Sequence, residues 1–387
     1  MKICFCGGGN GTHVGSVLLA VDNHIVNIFT RKPSLWNTNL KLKLENKNDY
    51  YKSQFISANI NKISDKPEDV IPGVQIIFIS SPVSAYENII ENINPYISDN
   101  TIIGVLFGQG HIDLMMKKYI FDYEKRNITF FALQYIPWQA KTIEYGKIGY
   151  LVGEKKNLLL SVFPKKNEEI IKGYISKLFR MNVNTQHFLS NCLTTSNQIL
   201  HPVRYYIVFK NCNKDTIINK ENIPILYTDM DIESANYLSK VSHEILLIKN
   251  NISDIYKINL ENVLSLEERI KLQYGDLVKD YTNIKTIFNT ATMYTKSKFA
   301  MLEVSDNNFK ININHRHFTD DIPYGLVVLK NISLSLKINT PYIDELIYWC
   351  QKLMGKEYLI NNKLIGKDIS ETGIFNNYNI KNINDIM

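Results

Sequence analysis

Cysteine is scarce in this chain. The five cysteines, Cys4, Cys6, Cys192, Cys212 and Cys350, form an odd set with no CxxC pair. That pattern argues against a disulfide framework or a zinc cage and favours a reducing compartment, so a cytoplasmic location is expected. Cys4 and Cys6 lie at strand spacing in an apolar run, which predicts buried packing. Long apolar runs are also missing. No segment reaches the ~18 uninterrupted apolar residues of a membrane span, and the apolar start runs into glycines at Gly7, too soon for a signal-peptide core. A dense basic run with interleaved aromatics is absent too. The net charge of +6 is spread over 387 residues, so neither nucleic acid nor membrane is an expected partner. Internal repeats are not found.

The length exceeds what one ordinary core accommodates and predicts two domains. Asn, Ile and Lys are plentiful at Asn46 to Asn61 and Asn376 to Asn384, stretches read as enlarged loops.

The first part of the chain alternates short apolar runs with helical patterns. Strands are predicted at Ile3–Cys6, Ile25–Phe29, Val74–Ser80, Ile102–Phe107, Ile128–Ala132 and Tyr150–Val152. Helices are predicted at Val14–Val21, Tyr86–Ile97 and Glu168–Phe179. This alternation implies a Rossmann-type, doubly wound parallel α/β sheet over residues 1–186. After residue 187 the texture changes. Leu238, Val241, Ile245 and Ile248 recur at helical spacing, Ser265 and Glu268 form a capping-box pattern, and Leu326–Leu336 and Ile343–Leu353 read as helices. Residues 187–387 are therefore expected to form a mainly α-helical domain.

The sharpest motif is Gly7-Gly8-Gly9-Asn10-Gly11-Thr12-His13, which follows a strand and opens a helix. Gly7 permits the tight turn, and Gly9 lets the backbone approach a pyrophosphate. The helix amino terminus offers N–H groups and a positive dipole end. Thr12 replaces the third glycine of GxGxxG, a packing position that accepts a small residue. Asn10 and Gly11 complete the cofactor-binding turn. At the end of the second strand an NAD enzyme usually places an acid. Here Thr30-Arg31-Lys32 stands instead, and a guanidinium suits a 2′-phosphate. NADP is thus expected, with NAD as the other possibility. Ser80-Ser81-Pro82 and Gly108-Gln109-Gly110 end strong strands, so Ser81, Pro82 and Gln109 are expected to face the cofactor. Plain turn chemistry is the alternative for both loops, as a solvated strand end is for Arg31 and Lys32.

Reducing a carbonyl or imine needs a proton donor near neutrality, and histidine suits that role. Spacing alone does not choose among the eight histidines, although His201, ahead of Pro202 early in the second domain, is attractive. A second candidate is His315-Arg316-His317-Phe318-Thr319-Asp320-Asp321-Ile322-Pro323-Tyr324-Gly325-Leu326. It also reads as a helix start, with Asp320 or Asp321 capping and Pro323 in the first turn. His315 and His317 have no Cys or carboxylate cluster to support metal binding, so no metal site is expected.

Together these pieces resemble the octopine/nopaline dehydrogenase family, the opine dehydrogenases, over nearly the whole chain. The resemblance is carried by Gly7 to His13, Leu133-Gln134-Tyr135-Ile136-Pro137-Trp138, Asn197 to Pro202, Arg316 to Leu326, and Thr340-Pro341 with Asp344. It implies reductive condensation of an amino acid's amine with a 2-oxo acid such as pyruvate, the imine being reduced by hydride. His201 matches the family's catalytic histidine and Asp321 its acidic partner. A carboxylate beside an imidazole is expected to raise its pKa and fix its tautomer. Arg316 matches a family arginine expected to hold a substrate carboxylate, and Gln134 and Trp138 fall on the substrate side. Two departures stand out. Gln139-Ala140-Lys141 replaces the Cys-Arg that often follows Pro-Trp, and Thr12 sits in the glycine turn.

Two other functions share the glycine turn. One is direct NADPH-dependent reduction of an oxo acid, as in ketopantoate or glycerol-3-phosphate enzymes, which needs no amine. The other is a catalytically silent NADP-binding sensor, against which the His, Arg and Asp constellation argues. A helical second domain often dimerises, but nothing in the sequence requires a homodimer.

Overall fold

The computed structural model describes residues 1–45, 53–295 and 297–386. The chain divides into two compact units, Met1–Asn191 and Cys192–Met387.

In unit 1 the chain runs β1 (Lys2–Cys6), α1 (Asn10–Val21), β2 (Ile25–Phe29), β3 (Asn39–Leu44), β4 (Phe55–Asn59), β5 (Lys62–Ser64), α2 (Pro67–Val70) and β6 (Ile76–Ile79). It continues through α3 (Tyr86–Ile93), β7 (Ile102–Val105), α4 (Ile112–Tyr119), β8 (Thr129–Leu133), β9 (Trp138–Glu144), β10 (Ile148–Glu154), β11 (Asn157–Phe163), α5 (Glu168–Phe179) and β12 (Asn182–Thr185). A short helix, α6 (Leu189–Cys192), leads into unit 2.

The main sheet has eight strands in the order β12-β11-β8-β7-β6-β1-β2-β5. Its pairs are parallel except β11 with β8. Strands β1 and β6 are fully buried from Ile3 and Ile76 onward, as continuous apolar runs covered on both faces should be. The chain leaves β1 in one direction and returns to β6 on its other side, which makes the β1/β6 boundary the topological switch point.

A second sheet, order β4-β3-β10-β9, was not expected from the sequence. Tyr150–Val152 belongs to this sheet and not to the main one. Phe55–Asn59, inside the Asn-rich stretch read as loop, is its edge strand, while residues 46–52 of that stretch lie outside the described residues. The sheet packs on α1. His13 joins the two: its Nδ1 donates to Gly9 O at 2.9 Å, and its Nε2 accepts from Gly146 N–H at 2.7 Å. Its ring stacks on Trp36, with centroids 4.3 Å apart.

Trp138 fills the space above Gly15. A Cβ on Gly15 would approach Trp138 to 2.7 Å and Phe5 of β1 to 2.8 Å. Close packing of α1 against its strand therefore falls on Gly15, while Thr12 at the third motif position is simply buried.

Unit 2 is mainly helical. Its helices are α7 (Asn197–Phe209), α8 (Ile232–Tyr256), α9 (Leu266–Tyr274), α10 (Ile284–Thr290), α11 (Arg316–Thr319), α12 (Val327–Ser335) and α13 (Pro341–Met354). A small sheet of β13 (Ile218–Asn219), β14 (Met301–Ser305) and β15 (Asn308–Ile311) adjoins them. The Ser265/Glu268 capping box starts α9. Glu244 of α8 accepts from the Tyr342 and Ile343 N–H groups at 2.9 and 3.0 Å and so caps α13, and burial pushes its carboxyl up to about 7. Asp344 forms a 2.7 Å ion pair with Lys330, a buried structural tie. Among the described residues no helix is long and apolar enough to cross a membrane.

Two glycine variants test the packing of α1. Gly15→Ala is expected to destabilise unit 1 by about 1–3 kcal/mol, because neither the Phe5 ring nor the Trp138 ring can yield that much space. Gly173→Ala in α5, where nothing lies within 4 Å of the added methyl, should stabilise by roughly 0.5–1 kcal/mol. Urea denaturation of the two variants checks both signs, and equal effects would overturn the packing argument.

Candidate active site

The glycine turn closes on the switch point. Gly7 has φ +131°, a conformation L side chains rarely adopt, and a Cβ there would meet Ser80 O at 2.3 Å. Ser80 N–H donates to Cys6 O at 2.8 Å, which locks the turn after β6 against β1. Ser81 also leans on β1, its Oγ 3.5 Å from Cys6 O, and Pro82 opens a single 3-10 turn. A Cβ on Gly9, in contrast, would find only Ser80 O at 3.8 Å, so this face of the turn is open. No side chain caps α1, and Thr12 Oγ1 is buried without a hydrogen-bond partner. An open glycine face, an uncapped helix amino terminus and an orphaned hydroxyl fit a dinucleotide phosphate.

Asn10 lies at the helix start, with its Oδ1 accepting from Thr142 at 2.7 Å. Thr30 is buried at the end of β2, and Arg31 and Lys32 beyond it are exposed. Gln109 and Gln134, after β7 and β8, are each 1% exposed. Both amide atoms of Gln134 lack partners. Trp138 opens β9. It is 4% exposed within the hydrophobic core, edge-on to Phe179.

In unit 2, α7 presents His201, which is 4% exposed. Its Nδ1 lies 2.7 Å from Asp321 Oδ2, and its Nε2 lies 2.7 Å from the Tyr227 hydroxyl. Asp321 takes only Nδ1–H, so Nε2 is the basic nitrogen and Tyr227 O–H donates to it. The His317 ring stacks on His201, with centroids 3.6 Å apart, and His317 Nδ1 contacts the Tyr205 hydroxyl at 3.2 Å.

Backbone geometry explains this convergence. Residues Ile322–Leu326 form a π-helical turn, Leu326 N–H reaching Asp321 O at 2.9 Å. Such wide turns recur at functional sites. Asp321, one of the two candidate caps, makes no side-chain capping bond there. The carboxylate points to His201 instead. Tyr227 is held through Arg204, fully buried one turn after His201. Arg204 donates to Leu226 O at 2.7 Å, Asp229 O at 3.1 Å, and Asp231 Oδ2 at 2.6 Å.

Burial sets the charge states. It pulls His201 well below its ordinary value, and Arg316 and His315 push the same way. The rise expected from Asp321 does not prevail, because desolvation of a fully enclosed imidazolium outweighs it. His201 is therefore held neutral. Burial likewise lowers His317 and raises the Tyr227 hydroxyl, which stays protonated as a donor. Arg316, at the start of α11, is exposed and makes no hydrogen bond or ion pair among the described residues. Nor do the described residues contain a group of three His, Cys, Asp or Glu side chains able to hold a metal ion. Tyr227 was missed from sequence. It lies 26 residues from His201, and no local motif marks it.

Known proteins resemble this chain along its whole length. Residues 184–354 match the model of the alpha-helical domain of NAD/NADP octopine/nopaline dehydrogenases. An opine dehydrogenase from Haliotis discus hannai is 28% identical, covering 100% of this chain and 98% of that protein. A tauropine dehydrogenase from Arabella iricolor is 25% identical, covering 100% and 99%. The structure of an octopine dehydrogenase in complex with NADH and agmatine superposes with a TM-score of 0.85 at 22% identity, covering 100% of this chain and 97% of that one. The chain thus resembles the opine dehydrogenases along its whole length and is an NAD(P)-dependent oxidoreductase acting on CH–NH donors.

Proposed function

We propose that the protein is an NADPH-dependent opine dehydrogenase that condenses the amine of an amino acid with a 2-oxo acid and reduces the resulting imine. The observation that carries this reading is the buried, neutral His201 held between Asp321 and Tyr227, with Arg316 unpaired nearby. Residues 1–186 serve as the dinucleotide-binding domain and 187–387 as the catalytic and substrate domain. Gly7, Gly9, Asn10, Gly11 and Thr12 take the pyrophosphate, and Ser81, Pro82 and Gln109 line the remaining approach. Thr30, Arg31 and Lys32 take the 2′-phosphate, although the octopine dehydrogenase compared above was solved with NADH. The bound nicotinamide supplies the hydride.

The chain's own residues handle carboxylates and protons. Arg316 holds the carboxylate of the 2-oxo acid through its free guanidinium. Gln134 offers its unpartnered amide to substrate. An ammonium must lose a proton before it attacks the carbonyl. That proton passes to the Tyr227 oxygen while Tyr227 gives its own to His201 Nε2. The same path returns a proton when water leaves the condensing pair. Asp321 stabilises the imidazolium formed in passing.

Absorbance measurement of NADPH oxidation with pyruvate or 2-oxoglutarate, with and without a panel of amino acids, tests the reaction. Oxidation is expected only with both partners. Oxidation by the oxo acid alone would establish a direct reductase, and tight NADPH binding without turnover would point to a sensor. His201→Ala should abolish turnover while NADPH affinity stays near normal, and lost NADPH binding would remove His201 from the substrate side.

Tyr227→Phe should lower kcat about 100-fold if the hydroxyl relays protons, and an unchanged kcat would sink the relay. Because the folded pKa of His201 is depressed, the imidazole stays neutral as pH falls through the usual ~6.5. Activity should persist there and fail only at lower pH. An acid limb at or above 6.5 would contradict the burial argument. Arg31→Asp should raise KM for NADPH far more than for NADH, and equal losses would mean that Arg31 does not read the 2′-phosphate.

A further inference from the structure

Four buried or half-buried side chains in unit 2 each carry one polar atom with no hydrogen-bond partner: Thr194 Oγ1, Gln198 Oε1, Arg269 Nη2 and Gln273 Nε2. They are not scattered. Gln198 Nε2 donates to Thr194 O at 2.9 Å. Arg269 Nε donates to Thr195 O at 2.7 Å, and Arg269 Nη1 donates to Gln273 Oε1 at 2.8 Å. The Gln198, Arg269 and Gln273 side chains each use one end in these bonds and keep a polar atom without a partner, as does the Thr194 hydroxyl. Thr194, Gln198 and Arg269 are 2%, 1% and 6% exposed, so bulk water does not satisfy them. An orphaned buried guanidinium nitrogen is costly unless something completes it.

We propose that Thr194, Gln198, Arg269 and Gln273 form the α-amino-acid subsite, with the substrate carboxylate on Arg269 Nη2 and Gln273 Nε2 and its amine at Gln198 Oε1. The free atoms match that ligand. Two nitrogens that can only donate suit a carboxylate. An amide oxygen that can only accept suits an ammonium. Thr194 Oγ1 can complete either. Gln198 precedes His201 by three residues on α7, so the two share a helix face. An amine at Gln198 Oε1 is thereby placed one turn from the residue that must receive its proton. Tyr227 feels the charges of both Arg269 and Arg316, so one guanidinium serves each carboxylate of a dicarboxylic opine.

This subsite rests on the opine reading, and kinetics separate the two. KM values for the amino acid, the 2-oxo acid and NADPH are measured for the wild type, Arg269→Lys and Gln273→Glu, with melting temperatures as the folding control. The best amino acid is compared with its decarboxylated amine. Gln273→Glu keeps the acceptor for Arg269 Nη1 but turns the donor into an anion. Both variants are expected to raise KM for the amino acid about 10- to 100-fold, the loss of one charge-assisted bond. KM for the oxo acid and NADPH should stay within about twofold. The wild-type preference for the amino acid over the amine should shrink by about tenfold in Gln273→Glu. Folded variants with an unchanged amino-acid KM, or with melting temperature as the only property altered, would reduce the cluster to a structural, water-filled one and overturn the subsite. A KM rising equally for the oxo acid would overturn it as well. A wild type without amine-dependent turnover would remove the opine reading, and the subsite with it.

Discussion

Enclosure of one imidazole governs unit 2. His201 is buried with both ring nitrogens occupied and one ring face covered by His317. Desolvation holds it neutral, Asp321 fixes which nitrogen carries the proton, and Tyr227 occupies the other. Each partner needs its own support. Asp321 reaches inward because the following turn is π-helical and Pro323 within it has no N–H to donate. Tyr227 is placed because Arg204, itself without any solvent exposure, collects two carbonyls and a carboxylate from the segment that carries it. A buried guanidinium is tolerable only when its donors are used in this way. Losing the Asp231 carboxylate would leave the Arg204 guanidinium a buried unpaired charge and loosen the segment that carries the tyrosine.

What could be read from sequence follows the range over which each feature is encoded. The central strands of the main sheet, β1, β2, β6, β7 and β8, are largely apolar runs legible in isolation, whereas β5 and β12 at its edges are short and mostly polar. Helix α5 matches its apolar periodicity at Glu168–Phe179, and the capping box of α9 is visible in four residues. The second sheet is different. It joins strands near residues 40 and 150 by parallel pairing, and no local pattern announces a partner over a hundred residues away. Strand β3 does alternate apolar and polar residues, yet alternation alone names no neighbour. Tyr227 has the same difficulty, since a tyrosine in a turn acquires meaning only once Arg204 has folded that turn onto α7.

Trp138 shows that a motif residue also carries packing. The Pro-Trp pair helps to mark the resemblance, and the indole meets a neighbour on α1. Gly15 leaves a hollow on α1 that only a large ring can fill, and the indole fills it from β9. The glycine that permits close helix packing therefore lies one turn beyond the fingerprint position occupied by Thr12. The fingerprint keeps its open glycine face and uncapped helix start, while close packing falls on Gly15. A family motif can thus remain recognisable after its parts have exchanged jobs.

The two arginines of unit 2 differ in a way that bears on specificity. Arg316 is exposed and unpaired, so its affinity for a carboxylate is moderated by water and salt. Arg269 is buried and already spends two of its donors on Thr195 and Gln273. Whatever completes Arg269 must offer an anion of limited size in fixed orientation, and a ligand lacking that anion leaves the guanidinium edge unsatisfied. Rejection is then stronger than attraction, because water cannot freely replace the missing group. An exposed cation can accept oxo acids of several shapes, whereas a buried fork with a neighbouring amide acceptor demands both a carboxylate and an amine. On the proposed assignment of Arg269 to the amino acid and Arg316 to the oxo acid, the stricter choice falls on the amino-acid partner and the looser one on the oxo acid.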